Sequence, residues 1–131
     1  MGILNRIVLT TAPWMPKIVI GRIASVYVAG DKLEDGIDLV RKLNKKGFVG
    51  TLDLLGEEVK NRRGITKTTN SYCDLIDGIA NSGVDCNISL KLTAIGLKVD
   101  ESLCWDNLSV ILDKAKMYNT FVRMDMEDSE V

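Results

Sequence analysis

With 131 residues, 46% of them hydrophobic and 27% charged, the chain has the length and composition of one soluble domain with one sizeable core. Its net charge of −1, with both signs interspersed, gives no electrostatic case for nucleic acid or an anionic membrane. The chain has no histidine, which excludes Ser–His and Cys–His nucleophilic pairs within it and leaves zinc only unusual cysteine–carboxylate spacings.

Residues 1–30 are apolar, but Arg6, Pro13, Pro16, Lys17 and Arg22 interrupt every apolar run, so none approaches the roughly 18 residues of a membrane span. An ordinary signal-peptide cleavage pattern is lacking, and Arg6 stands where a myristoylation signal takes Ser or Thr. This stretch reads as an amphipathic helical arm packed on the main body, with peripheral membrane contact as the other reading.

The body, residues 31–131, alternates helix and strand. Asp31–Lys46 is predicted helical: Asp31 and Glu34 have capping-box spacing, Leu33, Ile37, Val40 and Leu43 form a buried stripe, and Gly47 ends it. Phe48–Leu54 follows as a strand with Val49, Thr51 and Asp53 on one face, then LGEEVKNRRG as a loop. The Arg62–Arg63 pair in that loop reads as solvated rather than as a phosphate site. Thr66–Ser82 is the second helix, burying Tyr72, Leu75, Ile76 and Ile79, with Gly83 closing it.

Cys86–Thr93, CNISLKLT, alternates with period two, which specifies a strand. Ile88, Leu90 and Leu92 take one face; Asn87, Ser89, Lys91 and Thr93 take the other. Asp100 caps a third predicted helix to about Tyr118, with Leu103, Leu108, Ile111, Leu112 and Ala115 inward. Thr120–Met126 is the third strand, with Arg123, Asp125 and then Glu127 on its charged face. Cys73, Cys86 and Cys104 are odd in number and widely spaced, the usage of reduced thiols in a cytoplasmic protein.

Strand–helix alternation predicts parallel strands joined by crossovers. Strands of a doubly wound sheet are apolar on both faces because helices cover both. Here each strand has one apolar face, and the other carries Asp53, Lys91 and Asp125 near the carboxyl ends. That is the distribution of a TIM-type (β/α)8 barrel, with helices outside and functional groups at the carboxyl-end rim. A complete barrel takes about 250 residues; three strands are expected to make only its first part, cut after the third strand, with that strand as an open edge suited to self-association.

From residue types alone, Lys91 has two chemical uses. It can be a Schiff-base nucleophile, as in an aldolase-type barrel, with Asp53 or Asp125 carrying protons. It can instead stay charged and hold the carboxylate of a small anion. A plain inward ion pair that neutralises a polar layer is the bland alternative, and it goes with a non-catalytic remnant or interaction module.

Five segments narrow this: YVAG at Tyr27–Gly30, RKLNKKGF ending the first helix, TLDLLGE at Thr51–Glu57, SLKLTAIGL at Ser89–Leu97 and FVRMDMEDS at Phe121–Ser129. In order and spacing they resemble flavin-dependent proline dehydrogenase, over about the first half of that family's catalytic domain. The resemblance implies a distorted (β/α) barrel holding FAD, which oxidises L-proline to 1-pyrroline-5-carboxylate and passes electrons to a membrane quinone. It implies a cytoplasmic protein that contacts the inner face of the cell membrane peripherally. It implies Lys91 as a holder of the proline carboxylate, Asp53 as a pocket carboxylate interacting with it, and Glu57 as the partner of a substrate-binding arginine. Asp125 corresponds to the active-site aspartate and Met126 to a neighbouring flavin contact. Most of the flavin cradle and the family's paired arginines have no counterpart in these residues, so the chain alone is expected to turn over little or no proline.

Overall fold

The computed structural model describes residues 28–30, 32–56 and 59–125. In chain order it contains α1 (Leu33–Asn44), β1 (Gly50–Asp53), α2 (Arg62–Ser82), β2 (Cys86–Leu90), a 3₁₀ turn (Leu92–Ile95), α3 (Glu101–Met117) and β3 (Val122–Met124). The expected arm over residues 1–30 lies almost wholly outside the described residues, as does the Asp31 proposed to cap the first helix.

The three strands form one sheet in the order β1-β2-β3, parallel throughout as predicted. Gly50 pairs with Cys86, Leu52 with Ile88 and Asp53 with Ser89; Ile88 then pairs with Val122, Ser89 with Arg123 and Leu90 with Met124. Because side chains alternate across a strand, this register lines up one apolar row and one polar row. Ile88 and Leu90 are fully buried on the first, in one core with Val40, Tyr72, Ile76, Ile79, Ile95 and Ile111. The second carries Thr51, Asp53, Ser89 and Arg123. One-sided polarity, parallel pairing and alternating helices together give a portion of a (β/α) barrel.

Local chemistry sets the helix ends, and it shifts several predicted boundaries. At α1 the backbone N–H of Lys32 donates to Asp35 at 3.3 Å, so Asp35 rather than Glu34 supplies the reciprocal carboxylate. Asn61 caps α2, its side chain accepting from the Gly64 N–H at 2.8 Å. That cap draws Arg62, Arg63 and Gly64 into the helix, where a loop was expected. Arg62 is not merely solvated: it donates to Asp100 at 2.9 Å, tying the start of α2 to the start of α3. Gly83 ends α2 at φ 65°, a left-handed conformation that glycine adopts without penalty.

Asp100 caps α3 as expected, accepting from the Leu103 N–H at 3.1 Å. The buried stripe of α3 is Cys104, Leu108, Ile111 and Ala115, so Leu112, predicted inward, faces solvent and Cys104 takes a core place. β2 is also shorter than CNISLKLT. It stops at Leu90, and Leu92–Ile95 turns into a 3₁₀ helix closed by Gly96 at φ 117°. Leu92 and Thr93 therefore belong to the turn, and Lys91 stands at its head just beyond the strand. The cysteines are free thiols; burial pushes the Cys86 thiol up to about 11, well away from the reactive thiolate. No helix among the described residues is long and apolar enough to cross a membrane.

Two expectations test this packing. A Cβ on Gly50 would lie 2.8 Å from both methyl carbons of Val40 and 3.3 Å from Cys86 Sγ. Gly50→Ala should therefore lower stability by about 1–3 kcal/mol, the usual cost of overpacking, read as a shift of the urea midpoint. The second expectation concerns acid. The Leu103 N–H bond, aided by Arg62, holds the Asp100 carboxyl below the usual carboxylate range. A lowered carboxyl stabilises the fold above its unfolded-state pKa, about 3.9, and loses that contribution as pH falls through the folded value. Midpoints measured from pH 6 to pH 2 should fall in that window, and by less in Asp100→Asn, which keeps the cap but not the charge.

Candidate functional site

The carboxyl ends of β1, β2 and β3 bring together the polar residues singled out above. Asp53 is the last residue of β1 and pairs in register with Ser89. Lys91 and Asp125 each lie one residue beyond the last register pair of β2 with β3, Leu90 with Met124. The strand alignment is held there by the Asp125 N–H donating to Leu90 O at 2.9 Å. Lys91 Nζ donates to Asp53 Oδ2 at 3.2 Å. Both side chains are about three-quarters shielded, at 21% and 27% exposure, which puts the pair at a rim rather than in bulk solvent or deep core.

Asp125 sits on the other side of the lysine. Its carboxyl is held below the usual carboxylate range, first by the Ser89 hydroxyl and then by Arg123 and Lys91, against the opposing effect of desolvation. Arg123, two residues back on the same face, donates to Asp125 at 2.9 Å. The Ser89 hydroxyl acts on that carboxyl without completing a hydrogen bond: the buried Ser89 Oγ has no hydrogen-bond partner among the described residues. Such a group normally has one.

Tyr72 was expected only as part of the buried stripe of α2. It is fully buried, yet its hydroxyl donates to Asp53 Oδ1 at 2.9 Å. Burial first, then the Asp53 charge, pushes its phenol far above the ordinary tyrosine range. The available signal was the phenol at the head of the predicted stripe, since a buried tyrosine requires a polar partner. The structure therefore gathers Asp53, Lys91 and Asp125, adds Tyr72, Ser89 and Arg123, and leaves Glu57 and Met126 outside the described residues.

Chemically, this is a small zone of alternating charge. An ammonium offers three donors, so Lys91 can serve Asp53 and an incoming carboxylate together. Asp125, ionised at neutral pH, can accept from a donor on the same ligand. An open groove of about 580 Å³ lies elsewhere, lined by Leu92, Leu97, Cys104, Trp105, Leu108 and Met124. Met124 puts that groove on the apolar side of the sheet, so it is not the mouth of the charged zone.

A family model described as proline dehydrogenase matches residues 37–131. Proline dehydrogenase 1 of Bacillus subtilis (strain 168) is 37% identical over 102 residues, 78% of this chain and 34% of that protein. Proline dehydrogenase 2 of the same strain is 31% identical over 127 residues, 97% of this chain and 40% of its own length. The proline dehydrogenase of Deinococcus radiodurans is 35% identical over 109 residues. The chain thus spans about a third to two-fifths of the length of the curated relatives it matches. In three dimensions it is similar to proline utilization A (PutA) from Bdellovibrio bacteriovorus inactivated by N-propargylglycine, with a TM-score of 0.80 at 19% identity over 88% of this chain and 14% of that one. That likeness is one of fold; the family match covers β1, β2, β3 and the charged zone at their ends. The chain belongs to the proline dehydrogenase family.

Proposed function

We propose that these residues form part of the substrate wall of an enzyme that oxidises L-proline to 1-pyrroline-5-carboxylate. The observation that carries the reading is the Lys91–Asp53 pair at the strand ends, 3.2 Å apart and flanked by Asp125. Lys91 would bind the proline carboxylate, while Asp53 keeps the ammonium at the rim. Asp125 would accept a hydrogen bond from the ring nitrogen and take its proton as the carbon–nitrogen double bond forms. Glu57 is proposed to pair with a substrate-binding arginine. A lysine already engaged by a carboxylate is arranged for charge recognition, which favours this role over that of a Schiff-base nucleophile.

The cofactor is proposed to be FAD, which when bound supplies the acceptor for the hydride leaving proline. The fit is supported by Ser89, whose buried hydroxyl has no partner among the described residues on the face that carries Lys91. Ser89 would donate a hydrogen bond to such a group, Asp125 would accept one from it, and Met126 would give an apolar contact. The rest of its binding surface would come from residues outside this stretch. The final electron acceptor is proposed to be a quinone, reached by peripheral contact with the inner face of a cytoplasmic membrane. Without the remaining walls the three-stranded portion would orient proline on one side only. Little turnover is therefore proposed for it alone, with its open strand edge available to a second copy.

A chimera tests the reading. Residues 37–131 would replace the corresponding segment of Proline dehydrogenase 1 of Bacillus subtilis, and proline oxidation would be followed with an artificial electron acceptor. The chimera should oxidise L-proline, and Lys91→Met should raise KM for proline by about tenfold or more, the scale of a lost charge-assisted hydrogen bond. A folded, flavin-loaded chimera indifferent to Lys91→Met would contradict the assignment of Lys91, and one with no proline oxidation at all would contradict the function.

A further inference from the structure

Tyr72 belongs to the helix that covers the apolar side of the sheet, yet its hydroxyl ends at the charged rim. Its neighbours on the same stripe, Ile65, Thr69, Leu75, Ile76 and Ile79, are buried in the core. The whole side chain is fully buried with them, its phenol oxygen lying beside the end of β1. There it donates to Asp53 Oδ1 at 2.9 Å and lies against the backbone N–H groups of Leu54 and Lys91. The other oxygen of the same carboxylate, Asp53 Oδ2, accepts from Lys91 Nζ at 3.2 Å. One carboxylate is thus gripped on one oxygen by a rigid buried aromatic and offers its other to the flexible lysine.

We propose that Tyr72 is a positioning residue for carboxylate recognition: its hydroxyl fixes the rotation of the Asp53 carboxylate, and through it the place of the Lys91 ammonium. This rests on the reading of Lys91 as the group that holds the substrate carboxylate. The physical need is clear from the side chains involved. An exposed lysine spends its four-carbon stem among many rotamers, and a surface ion pair gains little because ordering that stem costs entropy. A carboxylate that cannot turn removes the aspartate's share of that cost before the lysine arrives. A tyrosine ring with all its surface packed is the stiffest available means of doing so, and its hydroxyl, which could not remain buried without a partner, is satisfied by the same bond.

The test needs neither substrate nor cofactor. The full chain would be pulse-labelled with acetic anhydride and the acetylation of each lysine measured by mass spectrometry, with exposed Lys116 as internal reference. In the unsubstituted protein Lys91 should label more slowly than Lys116. Tyr72→Phe should raise the Lys91 rate by about fivefold, the net scale of one ordinary hydrogen bond, because the lost bond acts on the lysine only through Asp53, with Lys116 unchanged and the thermal midpoint showing a folded chain. Asp53→Asn should raise the Lys91 rate as well, and adding Tyr72→Phe to it should produce no further rise, because the tyrosine acts only through Asp53. An unchanged Lys91 rate in folded Tyr72→Phe, or an equal further rise in the Asp53→Asn background, overturns the proposal and leaves Tyr72 as core packing. The unsubstituted chain gives a second readout that does not depend on the Phe variant folding. The Tyr72 hydroxyl proton should be a slowly exchanging NMR resonance, lost in Asp53→Ala; its absence from the folded chain, or its survival in that variant, also overturns the proposal. Labelling that behaves as expected beside a chimera that ignores proline would leave the positioning role intact and remove the functional reading, so the two can fail separately.

Discussion

The in-register parallel pairing of three short strands is the constraint on which everything else in this molecule depends. Asp53 opposes Ser89, and Ser89 opposes Arg123. Given that register, the polar side chains of three separate segments must share one face and one end of the sheet. A slip of one residue on β2 would turn Ser89 and Lys91 toward the core and carry Ile88 and Leu90 out of it. The fully buried state of Ile88 and Leu90 therefore fixes the charged zone as firmly as any contact within that zone. Core and site are two faces of the same alignment.

The rim is built by termination as much as by extension. β2 ends at Leu90 because the chain turns at Lys91 into a 3₁₀ helix that buries Thr93, Ala94 and Ile95. That turn holds the backbone of Lys91 against the sheet while its side chain reaches Asp53. Asn107 of α3 reinforces the turn by donating to Ile95 O at 3.0 Å, and Ile95 itself is fully buried in the common core. Helix packing is in this way coupled to the position of the lysine without touching its ammonium.

Much of this was legible in the sequence, for identifiable reasons. Period-two alternation in CNISL and the helical spacing of Tyr72, Leu75, Ile76 and Ile79 are local signals with large hydrophobic consequences, and both hold in the structure. The parallel order followed from the alternation of strands with crossover helices, and the meeting of Asp53 with Lys91 followed from the shared face. What was hidden depends on contacts distant in sequence or on competition between neighbouring caps. LKLT continues the alternation of the strand, and only the packing of Ile95 and Gly96 against the helices makes it a turn. Asn61 outcompetes Thr66 as a helix start because its side chain can accept from the Gly64 N–H. The Tyr72 hydroxyl in a hydrophobic stripe signals that a polar partner exists, but which one shows only when the end of β1 is seen beside it. Cys104 and Leu112 trade places because α3 is apolar over a wide arc, and the choice of buried edge is made by α2 rather than by α3 itself.

At the centre of this account is a lysine held at the strand ends by Asp53 and ready to take a substrate carboxylate. The most direct measurement is a crystal structure of the chimeric enzyme with L-proline. The account predicts the proline carboxylate within hydrogen-bond distance of Lys91 Nζ, with Asp53 still bound to the same ammonium. Proline seated with its carboxylate away from Lys91, or Lys91 turned out of the rim while Asp53 stays in place, would contradict it.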